Sequence, residues 1–284
     1  GSPRVADINE DGRPEIIVGN SVFQFSADMS SLQRLVAGNV NNPVGATSSE
    51  KDVVLIDIMK NHPGKELVIA SKVYGVDFTA GSLVTLADLS SIDATVPVDG
   101  ATSVADMNKD GNLDIIYTSQ LAHQAIIWDP NTGTKLLQYT FGGIQGGMAF
   151  VDDVYDDTQD GKAVNYPEAI FIDGSSIYAL NLNYATPIWT LAHTDGSGST
   201  TLNAFDFNGD GVKEMVYRDE AKMRIMNGNI VPPTNYATFP ATSGTWGEGP
   251  VIADVDNDGQ AEIVMVSDDT LSVYEAGPGT TWQN

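Results

Sequence analysis

Four stretches of this chain place oxygen-bearing side chains at the same spacing. They run Asp7 to Glu15, Asp106 to Asp114, Asp206 to Glu214 and Asp254 to Glu262. With the leading Asp as position 1, positions 1, 3, 5 and 9 of the first are Asp7, Asn9, Asp11 and Glu15. The second offers Asp106, Asn108, Asp110 and Asp114, and the third Asp206, Asn208, Asp210 and Glu214. The last offers Asp254, Asp256, Asp258 and Glu262. Position 6 is Gly in all four. Such a set suits a hard cation, and Ca²⁺ takes six to eight oxygens at ~2.3–2.6 Å. Alternate side chains of a tight loop converge on one point, and the glycine permits the sharp turn. Position 7 would add a backbone carbonyl, from Arg13, Asn112, Val212 or Gln260. The spacing predicts about four Ca²⁺ sites. Magnesium fits less well, because it keeps its waters and demands tighter geometry.

An EF-hand begins the same way but closes with a bidentate Glu at position 12 between two helices. Position 12 here is Val18, Tyr117, Tyr217 or Met265, so that reading fails, and the dockerin reading with it. The other alternative is a metal-free turn in which Asp and Asn bond their own backbone. Four repeats of one ligand set favour the metal.

Two weaker copies fill the gaps. The stretch after Asp57 has Met59 at position 3 and Pro63-Gly64 in place of Asp-Gly, and it is expected to hold no metal. The stretch after Asp153 carries Asp156, Asp157, Asp160 and Glu168 within an insertion. It has acids enough for a fifth cation near Asp153 and Asp157, but the spacing is lost, and both outcomes stay open. The leading acids Asp7, Asp57, Asp106, Asp153, Asp206 and Asp254 lie 50, 49, 47, 53 and 48 residues apart.

The elements that must position these loops follow the same period. Each loop sits between short apolar runs, such as Val104-Ala105 before and Ile115-Ile116 after. A third run follows, as in Val22–Phe25, Ile126–Trp128, Ile177–Leu180 and Leu271–Tyr274. A fourth follows that, as in Leu136–Tyr139, Pro187–Thr190 and Thr281-Trp282. Turn-forming clusters separate them, and no stretch keeps a helical period. Four short strands per ~48 residues describe the blade of a β-propeller; a β-solenoid usually repeats sooner. The expected fold is all-β, a β-propeller of four-stranded antiparallel blades in one domain over residues 1–284. The blades are placed at about 1–49, 50–99, 100–146, 147–198, 199–247 and 248–284. Either six blades close the ring or a seventh lies outside these residues.

Composition narrows the function. The 284 residues hold 38 Asp and Glu against 14 Lys and Arg, for a net charge of −24, with three His and no Cys. So acidic a chain offers no basic face to nucleic acid or to an anionic membrane. Without Cys there is no disulfide framework, thiol nucleophile or Cys-ligated zinc. No apolar run approaches the ~18 residues of a membrane span. The chain opens on Gly1-Ser2 without a signal peptide, as a mature form or a fragment would. None of its Asn residues lies in a glycosylation sequon, which leans towards a bacterial source. Thirteen of the acids fall on the ligand positions above. Four bound Ca²⁺ would bring the charge to about −16.

The loops resemble the FG-GAP and VCBS repeat family, which includes the propeller head of integrin α subunits. The resemblance rests on the lead-in from Gly100 to Asp106, the Asp-x-Asn-x-Asp-Gly core, and the trailing acid with its apolar strand. It covers nearly the whole chain, although a literal Phe-Gly…Gly-Ala-Pro is absent and two loops are degenerate. It implies Ca²⁺ in the loops joining first and second strands, on one face of the propeller. It also implies an extracellular or cell-surface setting, often in adhesion.

No catalytic motif is present. The chain lacks His-Glu-x-x-His, a P-loop and Gly-x-Ser-x-Gly. His62, His123 and His193 fall in expected loops and share no repeat position, so they read as solvated. Trp128, Trp189 and Trp282 read as core, whereas Trp246, on a Gly-rich loop, is a candidate sugar or protein contact. A ligand face is expected opposite the calcium loops, holding His123, Gln145, His193, Trp246 and residues 39–49. The sequence thus points to a non-catalytic adhesion or recognition module for protein or glycan, part of a larger surface protein. The alternatives are a calcium-dependent polysaccharide-lyase-like enzyme and a structural spacer.

Overall fold

The structure, a computed structural model, describes residues 3–37, 53–143, 147–198, 200–242, 249–268 and 270–275. Among them, 23 strands form six antiparallel sheets in chain order. The chain divides into two compact units, residues 1–140 and 141–284.

The first unit holds three four-stranded sheets. Sheet 1 comprises Arg4–Ala6, Glu15–Val18, Ser21–Phe25 and Leu32–Val36. Sheet 2 comprises Val54–Ile56, Glu66–Ile69, Lys72–Asp77 and Ser82–Asp88. Sheet 3 comprises Ala101–Ala105, Asp114–Ser119, Gln124–Asp129 and Thr134–Thr140. In the second unit, sheet 4 comprises Phe150–Asp152, Glu168–Ile172, Ser176–Leu180 and Trp189–Ala192. Sheet 5 comprises Asn203–Phe205, Glu214–Arg218, Lys222–Asn227 and Thr234–Pro240. Sheet 6 shows Val251–Ala253, Glu262–Ser267 and Thr270–Tyr274. Its expected fourth strand at Thr281-Trp282 lies outside the described residues.

Every sheet pairs each strand with the next, which is the meander of a propeller blade. The second strands are the most buried; those of sheets 2 to 5 are buried at every residue. That is why they read as continuous apolar runs rather than alternating ones. The first strands are short, and the fourth strands of sheets 1 and 5 are largely exposed, those of sheets 2 and 3 half-buried. In sheets 1, 2, 3 and 5 the pairing of third and fourth strands slips at one equivalent step, at Val22/Phe23, Val73/Tyr74, Ile127/Trp128 and Ile225/Met226. A bulge recurring at one place adds local twist to each sheet.

Within each unit the core lies between successive sheets. Ile17, Val22 and Val36 of sheet 1 pack with Leu67, Ile69 and Tyr74 of sheet 2. Val68 and Val73 pack with Ile115, Tyr117, Ile126 and Trp128 of sheet 3. In the second unit Ile170, Ile177 and Trp189 meet Met215, Tyr217 and Met226. Val216, Met223 and Ile225 meet Ile263 and Met265. Trp128 and Trp189 are core residues, as the sequence predicts. Each also donates its indole N–H across the seam, Trp128 to the Ala70 carbonyl at 3.3 Å and Trp189 to that of Gly228 at 3.2 Å. Two single helical turns break the all-β pattern, Leu89–Ile92 and Asp157–Asp160. Both are capped by an Asp that accepts a backbone N–H, Asp88 and Asp156.

Candidate metal centre

The four acid-rich loops all join the first and second strands of their sheets, in sheets 1, 3, 5 and 6. Each turns through two left-handed residues. Position 6 is Gly12, Gly111, Gly211 or Gly259, with φ between 85° and 90°. Position 4 is Glu10, Lys109, Gly209 or Asn257, with φ between 57° and 71°. Only position 6 is glycine in all four.

The front of each loop is wound around its own carboxylates. In the first, Asp7 accepts the Asp11 N–H at 3.1 Å and the Gly12 N–H at 2.8 Å. Asn9 Oδ1 accepts the Asp11 N–H at 3.0 Å, and Asp11 accepts that of Arg13 at 2.8 Å. The loop at Asp106 repeats these bonds with Asp110, Gly111 and Asn112 as donors. The loop at Asp206 repeats them with Asp210, Gly211 and Val212. The loop at Asp254 keeps those of Gly259, Asp258 and Gln260. The Asx turns weighed against a metal are therefore present. An oxygen that accepts one N–H, as each Asp7 oxygen does, keeps a second lone pair for a cation; Asp206 Oδ1 accepts two, from Gly209 and Asp210, and leaves that role to Oδ2.

The trailing acid is built differently. Glu15, Asp114, Glu214 and Glu262 are at most 2% exposed. One oxygen of each accepts the N–H of position 2, from Ile8, Met107, Phe207 and Val255, at 2.8–2.9 Å. The side chains of Ile8, Met107 and Phe207 are buried in turn, so the acid ties the loop's entry to the core. Burial disfavours the charged form. It raises Glu15 and pushes Asp114 and Glu214 up to about 7. A dication beside them would oppose that shift. Asp110, by contrast, is held below the usual range, first by the Asn112 N–H.

The last loop gathers the most charge. Carboxylate oxygens of Asp254, Asp256 and Glu262 lie within 4.8 Å of one another, a cluster that can hold a metal ion. These are positions 1, 3 and 9. In the other three loops position 3 is Asn, so the same set has two carboxylates and an amide. In the first loop Gln24, unmarked in the sequence, reaches position 9, with Nε2 2.6 Å from Glu15 Oε1 and 3.4 Å from the Arg13 carbonyl. In the third, Asn208 Nδ2 lies 3.2 Å from Glu214 Oε1. The ion pairs Lys72–Asp88, Lys213–Asp152 and Arg224–Asp219 fall on acids outside the ligand positions. The donor set fits a hard dication. When bound, such an ion would cross-link loop and strand through Asp254, Asp256, Asp258, Glu262 and the Gln260 carbonyl.

The two degenerate loops keep the trailing acid and replace the rest. Glu66 accepts from Ile58 and Met59, and Glu168 from Val154 and Tyr155. On the other oxygen of Glu66 sits the His62 ring, with Nδ1 at 2.7 Å. On that of Glu168 sits Asn181, whose Nδ2 also bonds the buried Asp157. Asn183 bonds Asp157 as well, at 2.6 Å. Glu168 is pushed up to about 8 by burial. Asp157 is brought into this knot; Asp153 is exposed and bonds Asn165 instead. Each degenerate loop is also tied to the next sheet. Asn131 bonds Ile58 O and Lys60 N at 3.0 Å, and Asn229 bonds Asp156 N at 2.8 Å. A cleft of about 450 Å³ opens beside the loops at Asp153 and Asp206, lined by Asp153, Val154, Asn165, Val212, Lys213 and Asn229.

The expectation of solvated loop histidines fails for two of the three. His62 is half-buried against Glu66. His193 donates through Nε2 to the Asp173 carbonyl at 2.8 Å. Its Nδ1 accepts from the Asp195 N–H and the Tyr217 hydroxyl, both at 2.9 Å. Such a ring is a structural joint. His123 sits in the turn before the third strand of sheet 3. Gln145, Trp246, Trp282 and residues 39–49 lie outside the described residues.

The chain matches no family model and no curated protein. It is similar in fold to the V. cholerae biofilm matrix protein Bap1, with TM-score 0.69 and 14% identity over 100% of this chain and 70% of that one. BBS1N, solved in complex with ARL6DN, aligns with TM-score 0.56 and 9% identity over 99% of this chain and 80% of that one. The rhamnogalacturonan lyase YesW aligns with TM-score 0.53 and 15% identity over 95% of this chain and 43% of that one. The chain thus spans less than half of the lyase, and at these identities the likeness is one of fold. Among the described residues no helix is long and apolar enough to cross a membrane.

Proposed function

We propose that the chain is an extracellular or cell-surface, calcium-binding β-propeller that acts as a non-catalytic recognition module for glycan or protein. The observation that carries the reading is the recurrence of one oxygen-ligand set in four loops at one strand connection. Three carboxylates of the last loop, from Asp254, Asp256 and Glu262, converge within 4.8 Å. Four Ca²⁺ would neutralise part of the −24 charge and lock each loop onto its sheet. A matrix setting is supported by the likeness to a biofilm matrix protein, which is fold-level analogy. The cleft beside the loops at Asp153 and Asp206 offers room for a short saccharide, and the loops opposite would offer a second surface. Calcium titration followed by melting tests the metal: a specific ion must stabilise the fold. An unchanged melting temperature under chelator would refute it.

A second reading is an enzyme's propeller, favoured by the likeness to a rhamnogalacturonan lyase. Against it stands the scarcity of basic groups to neutralise a uronate, 14 Lys and Arg in the chain. A glycan array run beside a uronate-cleavage assay separates the two. Cleavage would displace the recognition reading, and silence in both would leave a spacer.

A further inference from the structure

The loop at Asp57, second of the six in chain order and lacking the ligand set, packs directly on the one at Asp7. The Asp7–Ile8 peptide unit is held on both sides. Its N–H, from Ile8, donates to Glu15 Oε2 at 2.9 Å. Its oxygen, from Asp7, accepts from the Lys65 ammonium at 3.1 Å. One residue on, the Ile8 carbonyl accepts the Lys65 backbone N–H at 3.2 Å. Gly64 lies so close that a Cβ there would stand 2.6 Å from the Ile8 oxygen, and its φ of +91° is one that few side chains adopt. Lys65, this peptide and Glu15 thus form one hydrogen-bonded chain, in which each bond polarises the next. The ends of that chain are a residue of the second loop and the trailing acid of the first. Lys213, which likewise directly precedes the trailing acid, also reaches back to the preceding sheet, onto Asp152 at 2.5 Å.

We propose that the second loop serves the first: Gly64 and Lys65 hold the Asp7–Ile8 peptide, and through it Glu15, in the cation-binding arrangement. Lys65 is then a positioning residue for the first site. The inference rests on the calcium reading above. It assigns a role to a loop that the sequence left without one. The ammonium bonds a backbone oxygen, so its ordering of the peptide outweighs its screened repulsion of a dication. Groups that orient metal ligands from behind typically change affinity by about 10–100-fold.

Stepwise calcium binding is measured by calorimetry against a competing chelator, on the full chain. Lys65→Met is expected to weaken one binding step by about tenfold and to lower the metal-free melting temperature by no more than one lost hydrogen bond does. Lys65→Arg should restore the step. Asp11→Ala should abolish that same step, and adding Lys65→Met to it should change nothing further. Gly64→Ala should weaken the step more than Lys65→Met does. Unchanged or tighter binding in Lys65→Met overturns the proposal, as does a change in steps that survive in Asp11→Ala. A wild-type chain that binds no calcium defeats the calcium reading itself, and is told apart by the absence of any step.

Discussion

The loops at Asp106 and Asp57 occupy the same connection in adjacent sheets and end on the same device. Asp114 accepts the N–H groups of Met107 and Asn108 at 2.9 and 3.3 Å. Glu66 accepts those of Ile58 and Met59 at 2.8 and 3.2 Å. In front of that shared base the two diverge. The loop at Asp106 folds around its own acids. The loop at Asp57 sets His62 against Glu66 and takes its outer support from Asn131 of sheet 3. The buried acid is therefore the part that builds the connection. The forward acids are a further property, which the first, third, fifth and sixth repeats carry.

Removing calcium should break the comparison most visibly. A site at 100 times its Kd contributes about 2.7 kcal/mol, so chelation should lower the melting temperature by on the order of 10 °C while Asp57 and Asp153 loops stay protected from hydrogen exchange. Next in size is Glu66→Ala, which orphans two backbone donors and His62 and should cost about 3 kcal/mol with calcium stoichiometry unchanged. A loss of stoichiometry there would mean that the second loop is itself a site. Asp110→Ala should remove one calcium, with its destabilisation of roughly 2–3 kcal/mol seen only when calcium is present. The fourth test concerns Glu168, whose folded value of about 8 stands above its unfolded 4.5. The folded carboxyl keeps its proton while the unfolded one releases it. Stability therefore falls as pH rises from about 4.5 to 8 and levels off beyond. Melting in chelator should show Glu168→Gln gaining on the wild type across that window; parallel curves would mean that Glu168 is already ionised in the metal-free fold. The smallest effect is Asn131→Ala, about 1 kcal/mol, confined to the second loop by hydrogen exchange.

Much of this was legible in the chain. The ~48-residue period gave six sheets, and the apolar runs gave second and third strands, because buried inner strands leave unbroken apolar stretches. The loop ligands were legible because their spacing repeats. The trailing acid was read as a ligand alone. Its survival as Glu66 and Glu168 in loops that had lost the rest was the signal for a structural role. His62, Asn131 and Asn229 could not be found that way, since their partners lie across a turn or on the next sheet. Pro187–Thr190 was placed two residues early: the strand is Trp189–Ala192, set by the pairing of Trp189 with Ala179.

The two seam tryptophans have an optical consequence. Trp128 and Trp189 are at most 3% exposed, each bonded to a carbonyl of the neighbouring sheet, and one lies in each compact unit. Parting of either seam would wet one indole and redden its emission. With Trp246 and Trp282 replaced by Phe, a chain carrying only Trp128 or only Trp189 turns each unit's loosening into a separate fluorescence signal.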